Sequence, residues 1–209
     1  IAVAFHTTVA DDLAANVDVF RIAAARADVV VATGGLGPTA DDLTREALAQ
    51  TVGRELMMDA DALRHIEGLF ARRNRPMPER NRIQAYFPAG SRVVPNPQGT
   101  APGIDLDVPR PGRIASRVFA LPGVPAEMRE MWNATVAPAL RAMNPDAQLI
   151  RHRRIKCFGV GESDLEQMLP DLIRRGRVPS VGITVHEATI TLRITAAGRD
   201  DDDCRAAME

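Results

Sequence analysis

The spacing of apolar positions changes repeatedly along the chain, and each change marks an element. Val29-Val30-Val31-Ala32 is an unbroken apolar run. Such a run predicts a central parallel strand covered on both faces. Before it, Leu13, Val17, Phe20 and Ala24 recur at helical spacing and predict a helix over 13–26. Residues 1–8 read as a preceding strand. After the run, a helix is expected over 41–51, with Gly53 as its C-cap. A second helix over 59–73 is capped by Asp59 and stopped by Pro76 and Pro78. A short helix is expected over 81–85. Strands follow at 91–94, 103–108 and 114–121, the last two joined by the Pro109–Gly112 turn. A helix over 125–140 closes this part.

Strands alternating with helices predict a three-layer α/β/α sheet. Ligands in such sheets gather beyond the carboxyl ends of strands. Asp11, Gly34–Thr44 and Pro122–Glu127 all follow predicted strands, so they can converge on one edge. The pattern shifts near Asn144-Pro145-Asp146. A strand over 149–158, a helix over 162–174, a hairpin of 181–185 with 189–196 around His186-Glu187-Ala188, and a helix from Asp200 predict a small β-α-β-β-α unit. The expected division is therefore 1–145 and 146–209. No G-x-x-G loop joins two helices in the second part, so RNA binding is not expected.

Composition narrows the partners. The 209 residues are 45% hydrophobic and 25% charged, and 26 Lys+Arg against 27 Asp+Glu leave a net charge of -1. No overall field draws such a chain to nucleic acid or an anionic membrane, and no apolar stretch approaches a membrane span. Cys157 and Cys204 are far apart and form no C-x-x-C. A reducing cytoplasm is expected. His6, His65, His152 and His186 lack metal-ligand spacing. Arg151, Arg153 and Lys156 read as exposed edge charges. The chain opens on Ile1 rather than Met and ends in Cys204–Glu209, as if cut within a helix. It reads as a fragment truncated at both ends.

The densest candidate chemistry is Thr33-Gly34-Gly35-Leu36-Gly37-Pro38-Thr39-Ala40-Asp41-Asp42-Leu43-Thr44. Glycines let backbone N–H groups approach a ligand, and the start of a helix favours anions. Two aspartates there suggest a metal ion or proton transfer beside a phosphate site. The segment is neither a P-loop nor G-x-G-x-x-G. Thr39, Asp41 and Asp42 also suit ordinary helix capping. Asp11, taken alone, reads as a cap as well.

Three further segments join it: Arg75-Pro76-Met77-Pro78-Glu79-Arg80-Asn81-Arg82-Ile83-Gln84-Ala85, Pro95-Asn96-Pro97-Gln98-Gly99-Thr100-Ala101-Pro102-Gly103, and Leu121-Pro122-Gly123-Val124-Pro125-Ala126-Glu127-Met128. In this order the chain resembles the N-terminal part of the competence/damage-inducible protein A (CinA) family, within the MoaB/Mog molybdopterin-binding superfamily. The resemblance implies a MoaB/Mog-like domain, lacking an upstream strand and turn, then a small KH-like domain. It implies a metal-dependent pyrophosphatase acting on ADP-ribose or a related nucleotide. A pterin-binding or adenylyl-handling module without hydrolysis is the first alternative, and a non-catalytic oligomerisation module the second. The family's separate deamidase domain is not in these residues, and its activity is not expected here.

On this resemblance Asp42 is the expected metal ligand or general base, with Asp41 as a second metal ligand and Asp11 assisting. The expected cofactor is a divalent metal such as Mg²⁺, with a monovalent cation beside it. Gly34, Gly35, Gly37, Thr39, Thr44 and Gly123 are expected to face the ligand. Asn81 could bond a base or steady its loop. Thr100 and Gly103 line the pocket or form a rigid turn. Glu127 bonds back to the loop, orients the ligand or belongs to a capping box. The expected partner is a small nucleotide or pterin ligand, with a homo-oligomeric (dimeric) assembly and neither nucleic acid nor membrane.

Overall fold

Two parallel strands joined edge to edge organise the first part of the chain. In the computed structural model, which describes residues 3–174, 176–187 and 189–209, β1 (Val29–Thr33) pairs in parallel with β6 (Arg113–Leu121). Strand β6 pairs antiparallel with β5 (Gly103–Arg110), and β5 with β4 (Arg92–Val94). The order β1-β6-β5-β4 makes a four-stranded mixed sheet. The β5–β6 hairpin carries a register shift between Val108 and Arg110.

Alternation along the strands sends side chains to two different layers. Ile104, Leu106, Val108, Val118 and Ala120 face α1 (Leu13–Arg26), α2 (Thr44–Val52) and α3 (Ala60–Arg72), where they meet Val17, Phe20, Leu48 and Ile66. Val94, Phe119 and Leu121 face the opposite layer. That layer is α4 (Pro125–Met131) and α5 (Ala137–Met143), joined by a π-helical turn at Trp132–Val136. Its core is Met131, Val136 and Leu140. The three-layer α/β/α architecture is therefore present.

Several elements depart from expectation. Residues 3–10 form no strand; Ile1 and Ala2 of that expected strand, and Ala188 of the hairpin turn, lie outside the described residues. Strand pairing satisfies N–H and C=O groups, and among the described residues no strand pairs with this segment. Phe5 is half exposed, with the Arg26 guanidinium 3.9 Å from its ring centroid. β1 is an edge strand among the described residues rather than a central one, and Val31 is 42% exposed. The small sheet of β2 (Leu56–Met58) and β3 (Tyr86–Pro88) was not foreseen, because three-residue strands are too short to show a period. Finally, α2 starts at Thr44, three residues later than expected, because Asp42 closes a turn of its own.

The chain divides into two compact units, after Met143. In the second, β7 (Leu149–Cys157), β9 (Thr189–Gly198) and β8 (Ser180–His186) form an antiparallel sheet in the order β7-β9-β8. Helix α6 (Glu162–Met168) packs Leu165 onto Ile190 and Leu192. A short α7 (Pro170–Ile173) follows it, and α8 (Asp201–Ala207) closes the unit. Cys204 of α8 is fully buried, its thiol 3.3 Å from the Leu149 carbonyl oxygen.

Candidate functional site

The register of β1 and β6 brings their carboxyl ends together. Thr33 lies opposite Leu121, so the loops after these residues emerge side by side. The Gly34 N–H donates to the Leu121 carbonyl at 2.9 Å. A Cβ on Gly123 would lie 3.6 Å from the Gly34 Cα, so the two loops meet backbone to backbone. Strand β5 enters the sheet at the same edge, since Ile104 pairs with Ala120. The loop over 95–102 therefore joins the other two. A two-residue link connects α1 to β1, which turns the far end of α1, with Asp11, back toward this edge.

Gly34 and Gly35 both have positive φ, 97° and 67°, a region that side chains with a Cβ rarely adopt. Their surroundings differ. A Cβ on Gly34 would meet nothing within 4 Å, whereas one on Gly35 would sit 2.3 Å from Thr44 Oγ1. Thr44 is buried beneath the loop; its hydroxyl donates to the Gly34 carbonyl at 2.9 Å and its N–H to the Gly35 carbonyl at 3.1 Å. Gly34 thus opens the loop outward while Gly35 lets it rest on α2.

Asp42 shapes the next turn. Its Oδ2 accepts from the Thr39 N–H at 2.9 Å and from the Thr39 hydroxyl. Partial burial pushes the Asp42 carboxyl up, but hydrogen bonds from Thr39 and Gly37 and the nearby Arg45 charge outweigh this and hold it below the ordinary range. It is therefore an anion at neutral pH. It does not cap α2, whose N-cap is Leu43 without a side-chain bond. Asp41 is exposed beside it. Asp11 is exposed too, and the cap of α1 is its neighbour Asp12, which accepts from the Ala15 N–H at 2.8 Å.

Beneath the glycine loop lies Arg45, 2% exposed. Its guanidinium donates to the Leu36 carbonyl and, at 3.2 Å through two nitrogens, to the Gly37 carbonyl. Its Nε is buried without a partner. Burial lowers its pKa to about 10, the Asp42 carboxylate opposing that shift. Arg45 is therefore still a cation at neutral pH. The Leu36 carbonyl also accepts from Gln84 Nε2 at 3.4 Å, and Asn81 in turn donates to Gln84 Oε1 at 2.8 Å.

Asn96 organises the third loop. Its Oδ1 accepts from the Gly99 N–H at 2.9 Å, and its Nδ2 donates to the Ala101 carbonyl at 2.9 Å and to Glu127 Oε2 at 2.7 Å. The Asn96 carbonyl is 2.8 Å from His65 Nε2. A Cβ on Gly99 would collide with the Glu127 carboxylate at 2.1 Å. Glu127 thus ties α4 to this loop rather than completing a capping box on α4, whose N-cap is Val124.

The structure gathers Gly34, Gly35, Gly37, Thr39, Asp41, Asp42 and Gly123 along one edge of the sheet. It removes others from direct reach. Asn81 is buried in support of Gln84, which fits the second of its two expected roles, steadying its own segment. Thr44 is occupied inside the loop. Gly103 is buried, and a Cβ there would meet the Ala120 carbonyl at 2.6 Å and Met131 Cε at 3.0 Å. It admits close strand and helix packing. Thr100 is half-buried next to it. Sequence reasoning missed Arg45 and Asn96. A cation in the first turn of a helix opposes the macrodipole, and that anomaly was the available signal for Arg45. An asparagine between two prolines signals a side-chain-closed turn.

Residues 1–142 match the model of the family described as the probable molybdopterin binding domain, and residues 152–209 match that of the damage-inducible protein CinA KH domain. The chain belongs to this family of molybdopterin-binding-type domains, with the CinA KH domain following in sequence. Among its relatives is a putative competence-damage inducible protein of Caldicellulosiruptor bescii, 39% identical over 205 residues, covering 98% of this chain and 48% of the relative. Another, of Geobacillus kaustophilus, is 39% identical over 211 residues, covering 100% and 49%. The chain therefore spans about half the length of the curated relatives it matches. A solved structure, the protein CinA with unknown function from Thermoplasma acidophilum, is 36% identical with a TM-score of 0.53, covering 61% of this chain and 72% of that one. No helix among the described residues is long and apolar enough to cross a membrane.

Proposed function

We propose that the first unit binds the phosphates of a nucleotide-type ligand on the Gly34–Gly37 loop and hydrolyses a pyrophosphate bond in it, ADP-ribose being the substrate the family resemblance suggests. One observation carries the reading. A loop with two positive-φ glycines, open to solvent at Gly34, lies over a buried cation at the carboxyl edge of a parallel strand pair. Backbone N–H groups and a fixed positive charge suit phosphate.

Hydrolysis needs water to attack one phosphorus while the bridging P–O bond breaks, giving AMP and ribose 5-phosphate. Asp41 and Asp42 would hold a divalent ion. Among the described residues no group of three or more acidic, His or Cys side chains could hold a metal by itself. Two carboxylates suit Mg²⁺, which commonly takes its remaining ligands from substrate phosphates and water. When bound, the ion would neutralise charge on the departing phosphate. In this reading Asp42, held anionic in its turn, is a metal ligand or the general base, with Asp11 assisting at the same edge.

The family description favours one second reading, a pterin- or adenylyl-binding module without hydrolysis. Incubating the chain, and a homologue of full relative length, with ADP-ribose and Mg²⁺ separates the two. Release of AMP and ribose 5-phosphate is expected. Saturable binding with no turnover in either protein refutes hydrolysis and leaves the binding module.

A further inference from the structure

The start of α2 holds the glycine loop by its carbonyls. The Gly34 carbonyl accepts from the Thr44 hydroxyl at 2.9 Å, and the Gly35 carbonyl accepts from the Thr44 N–H at 3.1 Å. Arg45 takes the next two, those of Leu36 and Gly37. A trans peptide is planar, so its C=O and N–H point in opposite directions. The Gly34 and Gly35 carbonyls face Thr44, and the N–H groups of the same peptides, those of Gly35 and Leu36, face away from it. Neither N–H has a hydrogen-bond partner among the described residues. Leu36 is 1% exposed, and a buried donor without a partner is rare in native folds. Arg45 Nε, beneath the same loop, is also buried without a partner. Successive N–H groups facing one way in a turn form an anion-binding concavity.

The peptide between Gly34 and Gly35 is held differently from its neighbours. The peptide before it is fixed by the Gly34 N–H on the Leu121 carbonyl, and the one after it by the Gly35 carbonyl on the Thr44 N–H. Those are backbone bonds. Between them, the Gly34 carbonyl has one partner among the described residues, the Thr44 hydroxyl. Both ends of this peptide are glycines, with φ of 97° and 67°, and glycine tolerates either sign of φ. There is room as well, since a Cβ on Gly34 would meet nothing within 4 Å. The peptide can therefore rotate while its neighbours stay in place. Rotated, it presents a carbonyl oxygen where the Gly35 N–H stood, and that oxygen repels an anion.

We propose that the Thr44 hydroxyl is a latch on this peptide: bonded to Gly34, it aims the Gly35 N–H, beside that of Leu36, at a non-bridging phosphate oxygen of the ligand. Thr44 is thus a positioning residue whose side chain does not touch the ligand. The assignment rests on the phosphate reading above and adds to it the side chain that selects the binding-competent loop.

The test uses the full chain in two measurements. The first needs no ligand and follows the Gly35 amide by NMR, which should be single and sharp in the natural sequence. Thr44→Ala removes the bond alone, a shift of about two- to twelvefold in the balance of orientations. Its Gly35 amide should broaden or double while the Gly34 amide stays unchanged. In Thr44→Val a methyl replaces the donor, 2.9 Å from the Gly34 carbonyl oxygen. That is nearer than the roughly 3.5 Å of non-bonded carbon contacts, so the rotated peptide should dominate. The second measurement is titration calorimetry with ADP-ribose. Apparent affinity falls with the competent fraction, so Thr44→Val should bind at least about fivefold more weakly. Thr44→Ser keeps the hydroxyl and should stay within about twofold of the natural sequence. Circular dichroism checks that each variant is folded. An unchanged, sharp Gly35 amide in both Thr44→Ala and Thr44→Val overturns the latch. Equal affinity of the Val and Ser variants overturns its part in binding. A Gly35 amide that responds as expected, in a natural sequence that does not bind ADP-ribose, refutes the phosphate reading and with it the role given to the Gly35 N–H.

Discussion

Replacing Arg45 should separate fold from binding. The side chain is 2% exposed and holds the Leu36 and Gly37 carbonyls from below. Burial lowers its pKa from the ordinary guanidinium range to about 10, a charging cost on the order of 3 kcal/mol at 1.36 kcal/mol per unit. Against this stand charge-assisted bonds to two carbonyls, about 1.5–3 kcal/mol each. Arg45→Met removes both sides of this balance. Leu36 keeps its Gln84 donor, and stability should fall by no more than about 3 kcal/mol.

Affinity should respond more sharply. A phosphate resting on the loop would be roughly 6 Å from the guanidinium, and at an effective dielectric constant of about 20 that attraction is on the order of 3 kcal/mol, or about 100-fold in affinity. Titration calorimetry with ADP-ribose measures it, and urea unfolding gives the stability. Arg45→Lys retains the charge but not the planar fork, so its loss should stay below about tenfold. A folded Arg45→Met variant that binds within about threefold of the natural sequence refutes the electrostatic argument. Equal losses for Met and Lys would show that the residue acts through loop shape alone.

Three other outcomes follow from the same geometry. Asp42→Asn should keep the Thr39 turn, because an amide oxygen can still accept its N–H, yet lower ADP-ribose turnover at least about 100-fold; unchanged turnover in a discontinuous AMP assay removes Asp42 from the chemistry. Gly35→Ala should cost more stability than Gly34→Ala, since both have positive φ but only Gly35 would collide with Thr44; equal melting temperatures contradict the packing argument. Asp105 lies in the sheet between Arg92 and Arg117, with four hydrogen bonds of 2.7–2.8 Å. Burial pushes its carboxyl up, but the two guanidiniums outweigh this and hold it at about 2, below the usual 3.8. That stabilisation, about 2 kcal/mol, is complete above pH 4 and lost as pH falls through 2; Asp105→Asn should remove this part of the acid dependence, and an unaltered urea–pH profile refutes it.

What the sequence reveals and conceals follows from the range of each interaction. Helices α1 and α3 were legible because their apolar residues repeat within one element. The edge position of β1 was not, since three consecutive valines look the same whether the outer side is paired or open. The glycine loop was legible as a place but not as a set of roles. Gly34, Gly35 and Gly103 are one residue type. They are distinguished by an open side, the Thr44 hydroxyl 10 or fewer residues away, and the Ala120 carbonyl across the sheet. Asn81 and Asn96 show the same limit. Both are buried amides shortly after a proline, but Asn81 supports Gln84, three residues on in the 3-10 helix Glu79–Ala85, while Asn96 ties its loop to Glu127, 31 residues away. The Glu127 partner cannot be read from local spacing. Residues that touch a ligand and residues that hold the touching backbone therefore share one local signature here. Arg45 was legible only as a violation, a cation where the helix dipole disfavours one, and the tertiary structure supplies the two carbonyls that account for it.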